Sequence, residues 1–204
     1  MLTSALDWEM PATGYSGRSD IMDKIAVVFP GVGYTKDRPL LYYAGKLAVK
    51  KGYELIHMDF SGIDWSKEKL KDRNFMRETV LECLRRTKEK IGGINPQTEP
   101  VFISKSIGTV VATAYASQNG LNAKHICFSP LEEIGDYISK ESGILFYADA
   151  DPFADYKAIE KIRDKKNLTA YDIQGGNHSL ETGDVIKDIK NLNEIMTVVD
   201  KFLS

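Results

Sequence analysis

Cysteine is scarce in this chain: two in 204 residues, Cys83 within a helical pattern and Cys127 within a strand-like run, each among apolar neighbours. Neither a disulfide framework nor a thiolate metal site is supported, and two buried free thiols in a reducing compartment are expected. An excess of positive charge is missing too. Lys and Arg number 27 against 29 Asp and Glu, for a net charge of -2, and no basic cluster is interleaved with aromatics. Nucleic acid is therefore not an expected partner. No apolar run reaches the roughly 20 residues that cross a bilayer. The segment Met1 to Met10 has neither the basic start nor the apolar stretch of a secretion signal. No membrane partner is expected, and the expected location is cytoplasmic. Internal repeats, low-complexity tracts and a phosphate-loop Gly-Lys-Ser/Thr are likewise absent.

What remains is a chain with 43% hydrophobic residues, enough for one substantial core and a single domain over residues 1–204. Five β-rich runs alternate with helical patterns: Lys24 to Pro30, Tyr53 to Phe60, Val101 to Ser104, His125 to Pro130 and Gly143 to Asp149. A sixth, Leu168 to Ile173, is more amphipathic and predicts an edge strand. Continuously apolar strands imply cover on both faces, as parallel sheets require. Helices predicted over Leu40 to Lys51, Lys67 to Ile91, Ser106 to Gln118, Asp155 to Lys165 and Leu192 to Leu203 supply that cover. The pattern is that of an α/β class, three-layer α/β/α domain with a mostly parallel central sheet and right-handed crossovers. Residues 1–23 are less regular, with Trp8 to Tyr15 a candidate for short antiparallel strands. In such sheets ligands bind beyond the carboxyl ends of the strands, so the chemistry belongs where the apolar runs stop.

One such end carries Pro100-Val-Phe-Ile-Ser-Lys-Ser106-Ile-Gly108, a strand running straight into a helix. So tight a turn pushes Ser106 out of the sheet edge and aims the following N–H groups beside it, the geometry needed for attack on a carbonyl. As a lone residue Ser106 is equally a helix N-cap. Of three histidines, His57 and His125 lie in apolar strand runs, where a structural role is the default. His178 follows Gln174-Gly-Gly-Asn177 in a loop past the last strand and is a candidate base for Ser106. The candidate orienting acids close the fifth strand in Tyr147-Ala-Asp149-Ala-Asp151-Pro152. Pro152 holds Asp151 extended at the rim, and Asp151 is preferred because it sits past the strand, where loop residues reach inward. Asp149 shares its side-chain parity and stays open as the alternative. The oxyanion donors are expected from the N–H of Ile107 and from that of Val32, in Phe29-Pro-Gly31-Val-Gly33-Tyr. The Gly31-x-Gly33 pair lacks the third glycine of a dinucleotide loop, since position 36 is Lys36. No cofactor and no metal is expected.

The order strand–Gly loop, strand–Ser–helix, strand–Asp, strand–Gly-Gly-Asn-His resembles that of the α/β-hydrolases over nearly the whole chain. The matching pieces are Pro30-Gly-Val-Gly-Tyr34, Ser104-Lys-Ser106-Ile-Gly108, Asp151-Pro-Phe153 and Asn177-His178-Ser-Leu-Glu181. The resemblance implies a small serine esterase or related acyl hydrolase, with Ser106 as nucleophile, His178 as base and Asp151 as acid. Two departures stand out: Ser104 where the elbow usually opens with glycine, and Pro30 where histidine is frequent. A catalytically idle binding protein and an acyltransferase are the alternative readings. Only Leu131 to Ser142 occupies the place where relatives insert a lid, too short for a large cap domain. The expected partner is a small-molecule acyl substrate, met by Gly31, Tyr34 and Leu131. Phe60 and Phe153 also fall near strand ends. An open cleft, a cover from the Leu131–Glu133 loop, and a cover from a second subunit of a homo-oligomer all remain open.

Overall fold

The computed structural model describes residues 24–63, 73–95 and 97–204. The expectation for Trp8 to Tyr15 and the predicted helix start at Lys67 lie outside them. Among the described residues six strands form one all-parallel sheet: β1 Ile25–Phe29, β2 Glu54–His57, β3 Val101–Lys105, β4 Lys124–Phe128, β5 Gly143–Ala148 and β6 Thr169–Ile173. Their order is β2-β1-β3-β4-β5-β6. Five α-helices lie among the described residues: α1 Pro39–Lys50, α2 Arg73–Ile91, α3 Ile107–Gln118, α4 Tyr156–Lys166 and α5 Val185–Phe202.

The two-residue period of the strands sorts the side chains into layers. Ala26, Val28, Val101, Ile103, Ile126, Phe128, Ile144 and Phe146 point to one face and pack with Leu41, Ala44 and Ala48 of α1 and Ile195 and Val199 of α5. Val27, Phe29 and Phe102 point to the other, against α2 and α3. Cys127, Leu145 and Tyr147 continue that face beneath α4. The result is a three-layer α/β/α sandwich. Central strands β1, β3 and β5 are buried at every position, while edge strand β6 alternates, as its amphipathic sequence requires. β2 departs from its apolar reading: with only β1 beside it among the described residues, Glu54 is exposed and the other three residues are only partly buried. Helix α3 is buried from Ile107 through Ala116, which is why its small apolar sequence has no polar face.

Helix α5 begins at Val185, seven residues before the predicted Leu192. Asp184 caps it, its carboxylate accepting from the N–H groups of Ile186 and Lys187. The early turns hide from a periodicity reading because Val185, Ile186 and Ile189 are apolar yet exposed. Chain direction reverses across the sheet between β1 and β3, and the crevice at this switch point lies beyond the ends of those two strands.

Candidate active site

Ser106 stands at the crevice, between the last residue of β3 and the first of α3. Its backbone takes φ 55° and ψ −126°, a conformation that costs a residue with a Cβ on the order of 1–3 kcal/mol. The surroundings impose it. The Ser106 N–H donates to the Phe128 carbonyl, continuing the β3–β4 ladder, while the Ser106 carbonyl already accepts from the Thr109 N–H and hydroxyl. One peptide plane thus ends a strand and the next begins a helix. Gly108 lets the helix start this close: a Cβ there would sit 2.5 Å from the Phe29 carbonyl oxygen and 2.6 Å from that of Pro30.

Ser104, the departure from glycine in the elbow, is fully buried, and its hydroxyl donates to the Ile126 carbonyl at 3.2 Å. The tight approach survives because the hydroxyl finds an acceptor across the sheet.

The structure brings Ser106, His178 and Asp151 together. His178 Nε2 lies 2.8 Å from Ser106 Oγ, and Nδ1 lies 2.7 Å from Asp151 Oδ2. With the Nδ1–H donating to the carboxylate, Nε2 is left as the acceptor for the serine proton. Burial of Asp151 opposes its charge, but hydrogen bonds from His178 and the Phe153 N–H, with the Lys105 charge, outweigh it and hold the carboxyl below its ordinary range. Asp149 goes elsewhere, accepting from the Gly175 N–H at 2.6 Å.

The histidine loop is stitched down from both sides. Asn177 Oδ1 accepts from the N–H groups of Ser179 and Glu181, and the Ser129 hydroxyl donates to the His178 carbonyl at 2.8 Å. Ser129 is a positioning residue that sequence reasoning did not single out; its place at the end of β4, before Pro130, was the available signal. Phe153 overhangs the imidazole at 4.9 Å between ring centroids and is 68% exposed.

Gly31 lies against Ser106, where a Cβ would be 3.0 Å from that of the serine. Paired backbone bonds between Gly31 and Tyr34 close the loop into a tight turn with Gly33 at φ 65°. Val32 at its tip and Ile107 at the start of α3 keep their amides unbonded among the described residues. Leu131 is half-buried with Val32 against Ile107, on the opposite face from α1. Phe60 is plain core. Tyr34 packs its ring under the Lys105 ammonium at 5.2 Å, and burial pushes its phenol up to about 12. Lys105 is 1% exposed, so the lysine next to Ser106 is packed rather than solvated. No group of three or more metal-ligating side chains occurs among the described residues.

No family model and no curated protein matches the chain in sequence. Solved structures match it in fold. A putative hydrolase of the α/β superfamily from Xanthomonas campestris pv. campestris aligns with TM-score 0.65 at 12% identity, covering 89% of this chain and 98% of the other. The fold is that of the α/β-hydrolase superfamily. A lidless α/β serine hydrolase from Xanthomonas campestris aligns with TM-score 0.63 at 15% identity over 90% of this chain and 84% of its own. Est1E from Butyrivibrio proteoclasticus aligns with TM-score 0.64 at 11% identity over 89% and 88%. Between β4 and β5 this α/β-hydrolase-fold chain has a single 3₁₀ helix, Glu132–Asp136, which buries Ile134.

Proposed function

We propose that the protein is a serine hydrolase that cleaves small esters or related acyl compounds through an acyl-enzyme on Ser106. The observation that carries this reading is the unbroken relay from Oγ to Nε2 at 2.8 Å and from Nδ1 to Asp151 at 2.7 Å. Two hydrogen bonds in this order, on a serine held in a strained turn, exceed what a helix cap needs.

In the first half-reaction Ser106 Oγ attacks the acyl carbonyl and its proton passes to Nε2. The carbonyl π electrons move onto oxygen, and the N–H groups of Val32 and Ile107 receive the oxyanion. Collapse of the tetrahedral intermediate breaks the bond to the leaving alkoxide, which takes the proton from Nε2 and departs as an alcohol. Asp151 stays ionised throughout and stabilises the imidazolium. Water then repeats the sequence on the acyl-enzyme and releases the acid. Fluorophosphonate labelling tests the reading: folded protein should be labelled at Ser106, and Ser106→Ala should lose both labelling and hydrolysis of p-nitrophenyl acetate. An unreactive serine in folded protein would instead mark a binding protein built on the same fold.

A further inference from the structure

A cavity of about 400 Å³ opens on the face of the sheet covered by α1 and α5. Its wall contains none of the three triad residues, yet it borders the site on two sides. Tyr34 belongs to the turn whose Gly31 touches Ser106, and Ser179 directly follows His178. Leu40, Leu180, Leu192 and Ile195 make an apolar interior. Val185 and Ile189 extend it outward on the first turns of α5, 69% and 59% exposed. Single exposed apolar residues are ordinary, but a pair one turn apart on the lip of an apolar cavity is a contact surface.

The wall is preformed. Leu180 takes φ 61°, an uncommon conformation for a bulky residue, with its N–H donating to the Asn177 carbonyl. Asn177 also fixes the flanking amides of Ser179 and Glu181, so the Leu180 side chain is held buried beside the base it follows.

Charge narrows the occupant. Among the described residues the lining holds two carboxylates, Glu181 and Asp188, and no cation. Asp188 is already satisfied by the Thr182 N–H and hydroxyl and the Gly183 N–H. An anionic group would have to enter beside the Glu181 and Asp188 carboxylates in an apolar enclosure. The volume lies within the range of small-molecule sites.

We propose that this cavity receives an uncharged alkyl chain of the substrate, so that the preferred esters carry an aliphatic arm of medium length. This rests on the reading of Ser106 as the nucleophile, with the chain passing Tyr34 or Ser179 to reach the cavity. Each methylene buried there should raise kcat/KM about fourfold until the space is filled.

The test compares p-nitrophenyl acetate, hexanoate and decanoate, which vary the acyl arm, with ethyl, hexyl and decyl acetate, which vary the alcohol. A rise of at least tenfold from the shortest to the six-carbon member of one series is expected. It identifies the arm that enters. Ile189→Asp, at an exposed position, should flatten that rise, and a p-nitrophenyl ester ending in a carboxylate should gain nothing from its length. Length-independent rates in both series, with Ser106 still labelled by fluorophosphonate, would overturn the inference and leave the hydrolase reading standing. Calorimetric titration of Ser106→Ala with 1-octanol decides the cavity without catalysis. Binding that Ile189→Asp weakens at least tenfold supports the alkyl site even if Ser106 proves unreactive. No binding overturns it.

Discussion

Asp149 and Asp151 leave the end of β5 two residues apart, and their carboxylates finish on different parts of the same loop, one on the Gly175 N–H and the other on His178. Sequence parity placed both toward the cleft, and only the packed loop separates them. Asp151→Asn should therefore cost on the order of 10³–10⁴ in kcat, by analogy with the serine-protease triad, while leaving KM nearly unchanged. Asp149→Asn should cost far less, because an amide oxygen still accepts from Gly175. Steady-state kinetics on p-nitrophenyl acetate distinguish them, and the reverse ranking would exchange their roles. Lys105 carries a second prediction at this scale. Burial pulls its ammonium down to about 7, with the Asp151 charge working the other way. A depressed lysine means that the unfolded chain holds a proton the fold resists, so folding is penalised at low pH and the penalty fades as pH rises from 7 towards the ordinary lysine value. Lys105→Met should raise the urea midpoint at pH 6, with the gain shrinking by pH 10. A gain that does not depend on pH would show that packing, and not charge, is responsible.

Among the elements, the strand-to-helix junction at Ser106 was legible because each local signal agreed with the next: an apolar run, a small polar residue, then glycine. The start of α5 was not. Its first turns carry Val185, Ile186 and Ile189 on an exposed side, out of phase with the buried stripe at Ile195 and Val199, so periodicity pointed to Leu192. Val185 and Ile189 of these edge the cavity, so the misread turns and the proposed substrate surface overlap. Ser129 and Asn177 were also illegible as positioning residues. Ser129 reaches a carbonyl 49 positions away, a pairing that exists only after the sheet has assembled. Gly108 is the element-scale test. A Cβ 2.5 Å from the Phe29 carbonyl oxygen must push α3 away from β1, drawing the Ile107 N–H out of line with that of Val32. Gly108→Ala should lower kcat by about 10²–10³, the size of a lost oxyanion donor. Gly120→Ala, where no atom crowds the new methyl but φ is 61°, should leave kcat intact and cost about 1 kcal/mol of stability. If the Gly120 variant were the slower enzyme, the junction would not be the sensitive element.

For the whole molecule the sheet order was accessible only through the layers it implies. Apolar runs predicted central strands, and the amphipathic run at Leu168 to Ile173 predicted an edge, but the run at Tyr53 to Phe60 hid the other edge, β2. His125 ties this architecture to pH. It stands in β4, with its ring at 5.7 Å from that of Phe102 and its Nδ1 buried with no hydrogen-bond partner among the described residues. Burial depresses its pKa from the ordinary 6.5 to about 4. Above 6.5 the imidazole is neutral in both folded and unfolded chains and the group is silent. As pH falls from 6.5 to about 4, the unfolded chain gains a proton that the fold refuses, and stability declines by an amount on the order of 3 kcal/mol. Asp151, whose carboxyl is held below its ordinary range, adds a loss that begins only at more acid pH. Urea midpoints measured at pH 7.5, 6, 5 and 4.5 should fall steadily for the wild type, with His125→Leu removing most of the slope between pH 6.5 and 4.5. The substitution carries its own packing cost at every pH, so the slope and not the midpoint is the readout. An unchanged slope in the variant would place the acid sensitivity in other groups, the depressed His57 or the carboxylates, and leave the His125 imidazole without a part in it.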